Sequence, residues 1–116
     1  MTDRAALLMD LAERCEKAQG PDRELDREIA EATKPDFWLV PPRYTASLDA
    51  ALSLVPEGWA WAVYGGAREE IVATAYCVPN GGRLPWPDWV TDICAATPAL
   101  ALCAATLRAL ASGAPR

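Results

Sequence analysis

The segment Thr97 to Ala111 constrains this chain more than any other. Thr97-Pro98 offers a capping hydroxyl followed by a proline at the first helical position, where a missing N–H costs nothing. Pro98 to Ala111 then reads PALALCAATLRALA, with Arg108 its only charge. A helix that is apolar on nearly every side has to be enclosed by other elements. The segment therefore predicts a central core helix packed against a sheet, with the rest of the chain supplying its surroundings.

Those surroundings can be read from periodicity. Leu7, Leu11, Cys15 and Ala18 fall at helical spacing within Asp3 to Ala18, and Leu8 widens the stripe. Thr2 is the expected N-cap and Gly20 the expected stop. Pro21 opens a second helix with Asp22 and Glu24 in its first turn. Leu25, Ile29 and Ala32 form its inner face, and Pro35 ends it. This helical hairpin holds most of the charge: ten of the 16 acids and six of the 11 basic residues precede Phe37. Such charge reads as a solvated outer face. Phe37 to Pro42 is a bulky connector. A third helix is expected from Thr45, as its cap, to Val55, on the i, i+3, i+4, i+7 pattern of Leu48, Ala51, Leu52 and Val55.

Trp59, Trp61 and Val63 then alternate with Ala60, Ala62 and Tyr64, predicting a strand. Gly65 to Arg68 reads as a turn, and Ile71 to Val78 as the antiparallel partner, rich in β-branched and aromatic residues. Asn80-Gly81-Gly82 is a further turn. Leu84 to Trp89 is too proline-rich for a central strand, and Val90 to Cys94 is expected as a short edge strand. The fold class that follows is α+β in one domain of 116 residues: a small antiparallel β-meander sandwiched between helices.

Composition removes many functions. There is no histidine, so triads built on it and the commonest zinc sites are excluded. A net charge of −5 opposes binding to a DNA or RNA backbone, which demands clustered Lys and Arg. Cys15, Cys77, Cys94 and Cys103 form no CxxC pair and read as buried free thiols in a reducing compartment. Asp3, Arg4 and Asp10 interrupt any signal-type apolar stretch. The longest uncharged run, Ile93 to Leu107, contains Pro98 and falls short of the ~20 residues of a membrane span. The chain is expected to be soluble and cytoplasmic, with no membrane partner.

Chemistry-bearing patterns are few. Lys17 and Lys34, the only lysines, both lie in the charged hairpin, and no serine occupies a nucleophile elbow. Gly65-Gly66 and Gly81-Gly82 read as hairpin turns and not as phosphate loops. Glu69-Glu70 flanks a turn. Asp88 and Asp92 could approach a divalent ion, but hard cations want several converging oxygens, so no metal or cofactor is expected. An enzyme would have to work with carboxylates or tyrosine alone, which is the weakest reading.

Five tryptophans are the unusual feature. Trp59 and Trp61 read as core packing. Trp86 and Trp89 lie in the proline-rich loop just after Arg83, while Trp38 precedes Arg43 and Tyr44. Loop aromatics beside arginines can stack on a flat anionic ring, anchor a protein interface, or cover the end of a small core.

Three segments carry a family resemblance: CEKAQGPDRELDREIAEA (Cys15 to Ala32), PPRYTASLDAALSLVPEGWAW (Pro41 to Trp61) and ATPALALCAATLRAL (Ala96 to Leu110). Together they resemble the small phage and prophage proteins of the phage ABA sandwich domain. The Leu84 to Trp89 loop departs from that pattern. The resemblance implies a sheet held between helical layers and a phage origin, and it transfers no catalytic or binding residue. Two functional expectations follow. One is an accessory protein that binds a nucleotide-derived host defence signal, with Tyr44, Trp86 and Trp89 stacking and Arg43 and Arg83 meeting phosphate. The other is a protein-interaction or assembly module whose exposed edge strand pairs with a partner. A homodimer suits either.

Overall fold

A computed structural model describes residues 4–33, 40–68, 71–78 and 93–111, with backbone alone for 64–68, 71–78 and 94. The elements are α1 (Arg4–Lys17), α2 (Arg23–Thr33), α3 (Leu48–Leu52), β1 (Ala60–Arg68), β2 (Ile71–Val78), β3 (Ile93–Ala95) and α4 (Pro98–Ala111).

The terminal helix is where its sequence demands. Thr97 Oγ1 accepts the Leu100 N–H at 3.2 Å, closing the N-cap. Every residue of α4 is buried except Pro98, Arg108 and Ala111. It packs on all three strands, on α1 and on α3, and α1 reaches β3 as well as α2. Burying each of Leu100, Leu102, Leu107 and Leu110 contributes about 1.5–3 kcal/mol. It is thus the helix that sits between layers, with the sheet and the outer helices around it. The expected meander between helices is found in part: the helices and the antiparallel meander are present, but α4 takes the middle place.

Strand order is β1-β2-β3, antiparallel throughout. Trp61 pairs with Cys77, Val63 with Ala75, and Ala75 in turn with Ile93. Val63 and Ile93 both pack on the core, which fixes the register, since a one-residue slip would turn them outward. The β1 strand runs past the expected turn to Arg68, through an irregularity between Gly65 and Arg68. The third strand is described over Ile93–Ala95; residues 90–92 of the expected edge strand lie outside the described set.

Helix starts differ from expectation where a side chain has other work. The Asp22 carboxylate accepts the Leu25 N–H at 3.1 Å, so Asp22 caps α2 and Pro21 precedes the cap. Ser47, not Thr45, caps α3, which is shorter than its apolar pattern suggests. After it, Trp59 N–H donates to Pro56 O at 3.2 Å, and Gly58 takes the positive φ of 87° that this turn requires. The turn delivers Trp59 into the core. The expected roles of Thr2, Pro35 and Asn80-Gly81-Gly82 lie outside the described residues.

Candidate functional site

The most organised polar cluster joins α2 to the segment before α3. Asp26 is fully buried, although it belongs to the charged hairpin. Its Oδ1 accepts the Thr45 N–H at 2.8 Å and the Thr45 hydroxyl at 2.7 Å. Its Oδ2 accepts from Arg23 Nη1 at 2.9 Å, and Arg23 Nη2 reaches Pro41 O at 3.2 Å. Thr45 Oγ1 also accepts the Asp22 N–H at 2.8 Å. A buried carboxylate must be paired or neutralised, and here an arginine and two neutral donors meet it. Asp26 therefore fastens the 41–45 segment to α2 and has no lone pair turned to solvent for base chemistry.

That fastening decides where two expected site residues go. Tyr44 N–H donates to Pro42 O at 2.9 Å, and Ala46 and Ser47 N–H donate to Arg43 O at 3.1 and 2.9 Å. In the tight turn so formed, Arg43 points outward and Tyr44 inward. Tyr44 has no exposed surface at all, so the expectation that it stacks on an incoming ring is corrected: its ring is a core element. Its hydroxyl is buried and makes no hydrogen bond among the described residues. Burial pushes the phenol above its ordinary pKa, with nearby Thr33 pulling the other way.

Behind Tyr44 lies Cys103, whose thiol donates to Tyr44 O at 3.3 Å. The influence of Cys15 in α1, together with burial, holds the Cys103 thiol well above its ordinary pKa. Both are free thiols without exposed surface, as expected for them. The side chains of Cys77 and Cys94 lie outside the description.

Trp59 and Trp61 part company. Trp59 is buried at 9% exposure, whereas Trp61 stands 44% exposed on β1, at the edge of the described sheet. The expectation of core packing holds for the first and is corrected for the second. Arg83, Trp86 and Trp89 lie outside the described residues, as do Asp88 and Asp92. Among the described residues no group of three or more Cys, Asp or Glu side chains could hold a metal ion, and no helix is long and apolar enough to cross a membrane.

The sequence reading missed Asp26 and Thr45. Periodicity did hold a signal: Asp26 lies three and four residues before Ile29 and Ala30, on the face that packs inward. Comparison with known proteins adds no assignment, because no family model, curated protein or solved structure matches the chain.

Proposed function

We propose that this chain is a non-catalytic interaction module whose contact surface is the β1 edge around Trp61. One observation carries the reading. A large aromatic side chain is left 44% exposed on a strand that is an edge among the described strands. An edge strand presents unpaired N–H and C=O groups, and a neighbouring tryptophan is a frequent anchor at interfaces. Ala60 to Ala67 carries no charge and no proline, the usual devices that blunt an edge. The fully paired Asp26 fits the same reading, since the best-ordered carboxylate serves structure.

Light scattering over a concentration series tests it. The expected result is self-association, or a stoichiometric partner, that Trp61→Glu abolishes while leaving the circular dichroism spectrum unchanged. A protein that stays monomeric and retains no partner overturns the proposal.

Arg43 favours a second reading. Its side chain is exposed, with no ion pair among the described residues. It remains a candidate cation for an anionic, nucleotide-like ligand; Arg83, Trp86 and Trp89, expected from the sequence to act with it, lie outside the described residues. A rise in Tm with one member of a panel of linear and cyclic nucleotides, lost in Arg43→Ala, is its signature. The phage accessory role rests on the resemblance of the three segments quoted above, and action against host defence on that resemblance together with the lack of a catalytic pattern in the sequence and the loop tryptophans and arginines.

A further inference from the structure

The two edges of the described sheet are unlike. At one edge β3 is described over three residues, and α1 packs against it. At the other, β1 runs for nine residues, Ala60–Arg68, with no strand on its outer side among the described strands. At about 3.3 Å of rise per residue, nine residues span about 30 Å. That is most of the molecule's longest dimension, 36 Å. Short or covered edges resist pairing, whereas a long open one invites another strand.

Charge separates the edges in the same sense. The helix beside β3, α1, carries six charged residues in its 14. Gly58 to Ala67, through most of β1, carries none. A strongly acidic or basic strand finds no counter-charge there. A neutral strand does suit it, and the chain itself supplies one. With a net charge of −5, two copies repel wherever their acids meet. Approach through β1 sets no like charges opposite each other along Ala60 to Ala67.

Symmetry then selects a register. Two copies joined edge to edge by a two-fold axis normal to the sheet pair antiparallel, and one residue lies opposite its own copy. The uninterrupted part of β1 runs from Ala60 to Gly65, so the centre falls on Ala62 or Val63. With Ala62 at the centre, Trp61 stands opposite Val63 of the second copy, and symmetry repeats the contact. Both residues lie on one face by strand alternation, and an aromatic beside a β-branched residue is a favourable cross-strand pair. With Val63 at the centre, each Trp61 faces only Gly65. The first register covers the exposed tryptophan; the second leaves it without a side-chain neighbour.

We propose that the occupant of the β1 edge is a second copy of this chain, paired antiparallel through β1 with Ala62 opposite Ala62. The inference rests on the reading of β1 as the contact surface and names its partner. Two three-stranded sheets become one continuous sheet, with both Trp61 side chains on the same face near the axis.

Sedimentation velocity of the purified full chain, over about 1 μM to 1 mM, tests it. Average mass should climb from 12.5 kDa toward twice that value. Ala62→Lys, which sets two ammonium groups opposite each other, should weaken association about tenfold or more. Under mild oxidation Ala62→Cys should give a covalent dimer above the wild-type background, because opposed Cα atoms lie about 4.5–5.5 Å apart, within disulfide reach. Ala60→Cys should not, since it stands about 13 Å from its own copy in this register. Circular dichroism checks the fold of each variant. A chain that stays monomeric throughout overturns the proposal. If that monomer still holds another protein through Trp61, the reading of the β1 edge stands and only the second copy is lost. Dimers that survive Ala62→Lys, or that cross-link as readily in Ala60→Cys as in Ala62→Cys, overturn it as well.

Discussion

Helices α2 and α4 touch the same core by opposite means. The 14 residues of α4 carry one charge, and its stability comes from side-chain burial on every side. The 11 residues of α2 carry six charges, and what holds the helix in place is a buried carboxylate with its donors. The comparison separates two kinds of specification. A helix like α4 is legible from composition, because nothing but enclosure suits it. A helix like α2 shows its inner face by periodicity, which sets Asp26 on that face, but hides what the carboxylate does there until Thr45 and Arg23 are placed around it.

Substitutions can break this contrast. Leu102→Ala, in the fully buried middle of α4, should cost about 3–4 kcal/mol in urea unfolding, the usual loss for a buried leucine. A cost below about 1.5 kcal/mol would mean that α4 is not enclosed. Asp26→Ala should cost nearly as much, about 3 kcal/mol, because it removes at once the acceptor of the buried Thr45 N–H and of the Thr45 hydroxyl. Thr45→Val, which removes the hydroxyl and keeps the N–H, should cost less, and a larger loss than for Asp26→Ala would place the weight of the cluster on Thr45.

Alkaline pH sharpens the comparison further. Tyr44 and Cys103 both have pKa values raised in the folded chain, Tyr44 chiefly by burial and Cys103 by Cys15 and burial. Each binds its proton more tightly when folded than when unfolded. Their contribution is complete below the unfolded pKa values and is lost as pH rises through the folded ones. Stability should therefore fall as pH climbs above 9, the ordinary thiol value, and Cys103→Ala should flatten the onset of that fall. The smallest effect belongs to the outer face of α2. Arg27 and Glu31 form an exposed pair at 3.0 Å, and Arg27→Ala should change stability by less than about 0.5 kcal/mol. A larger change would show that the solvent side of α2 is also structural.

Much of the fold was legible for physical reasons that these residues illustrate. The bounds of α4 follow from Thr97-Pro98 and an unbroken apolar run, and β2 from its β-branched content. The α3 cap was misplaced because Thr45 and Ser47 are equivalent by propensity, and only the long-range bonds to Asp22 and Asp26 remove Thr45 from contention. Trp61 was misplaced because alternation reports which residues share a face, not how far the core extends beneath them. Of the expected site, Arg43 keeps its exposure and Tyr44 does not. Those neighbours differ because a single tight turn, anchored by Thr45, sends adjacent side chains to opposite sides.

The central position of α4 also has a consequence for how the molecule comes into being. α4 follows in sequence every element it packs against. While the ribosome is still adding residues 98–111, α1, α3 and the three strands have been made but lack their common partner, and their apolar faces stand open to water and to other chains. The contacts that close the core join residues far apart in the sequence, so they form late and all together. A chain interrupted before Pro98 would display those sticky faces, and chaperones and proteases would meet this protein chiefly in that interval.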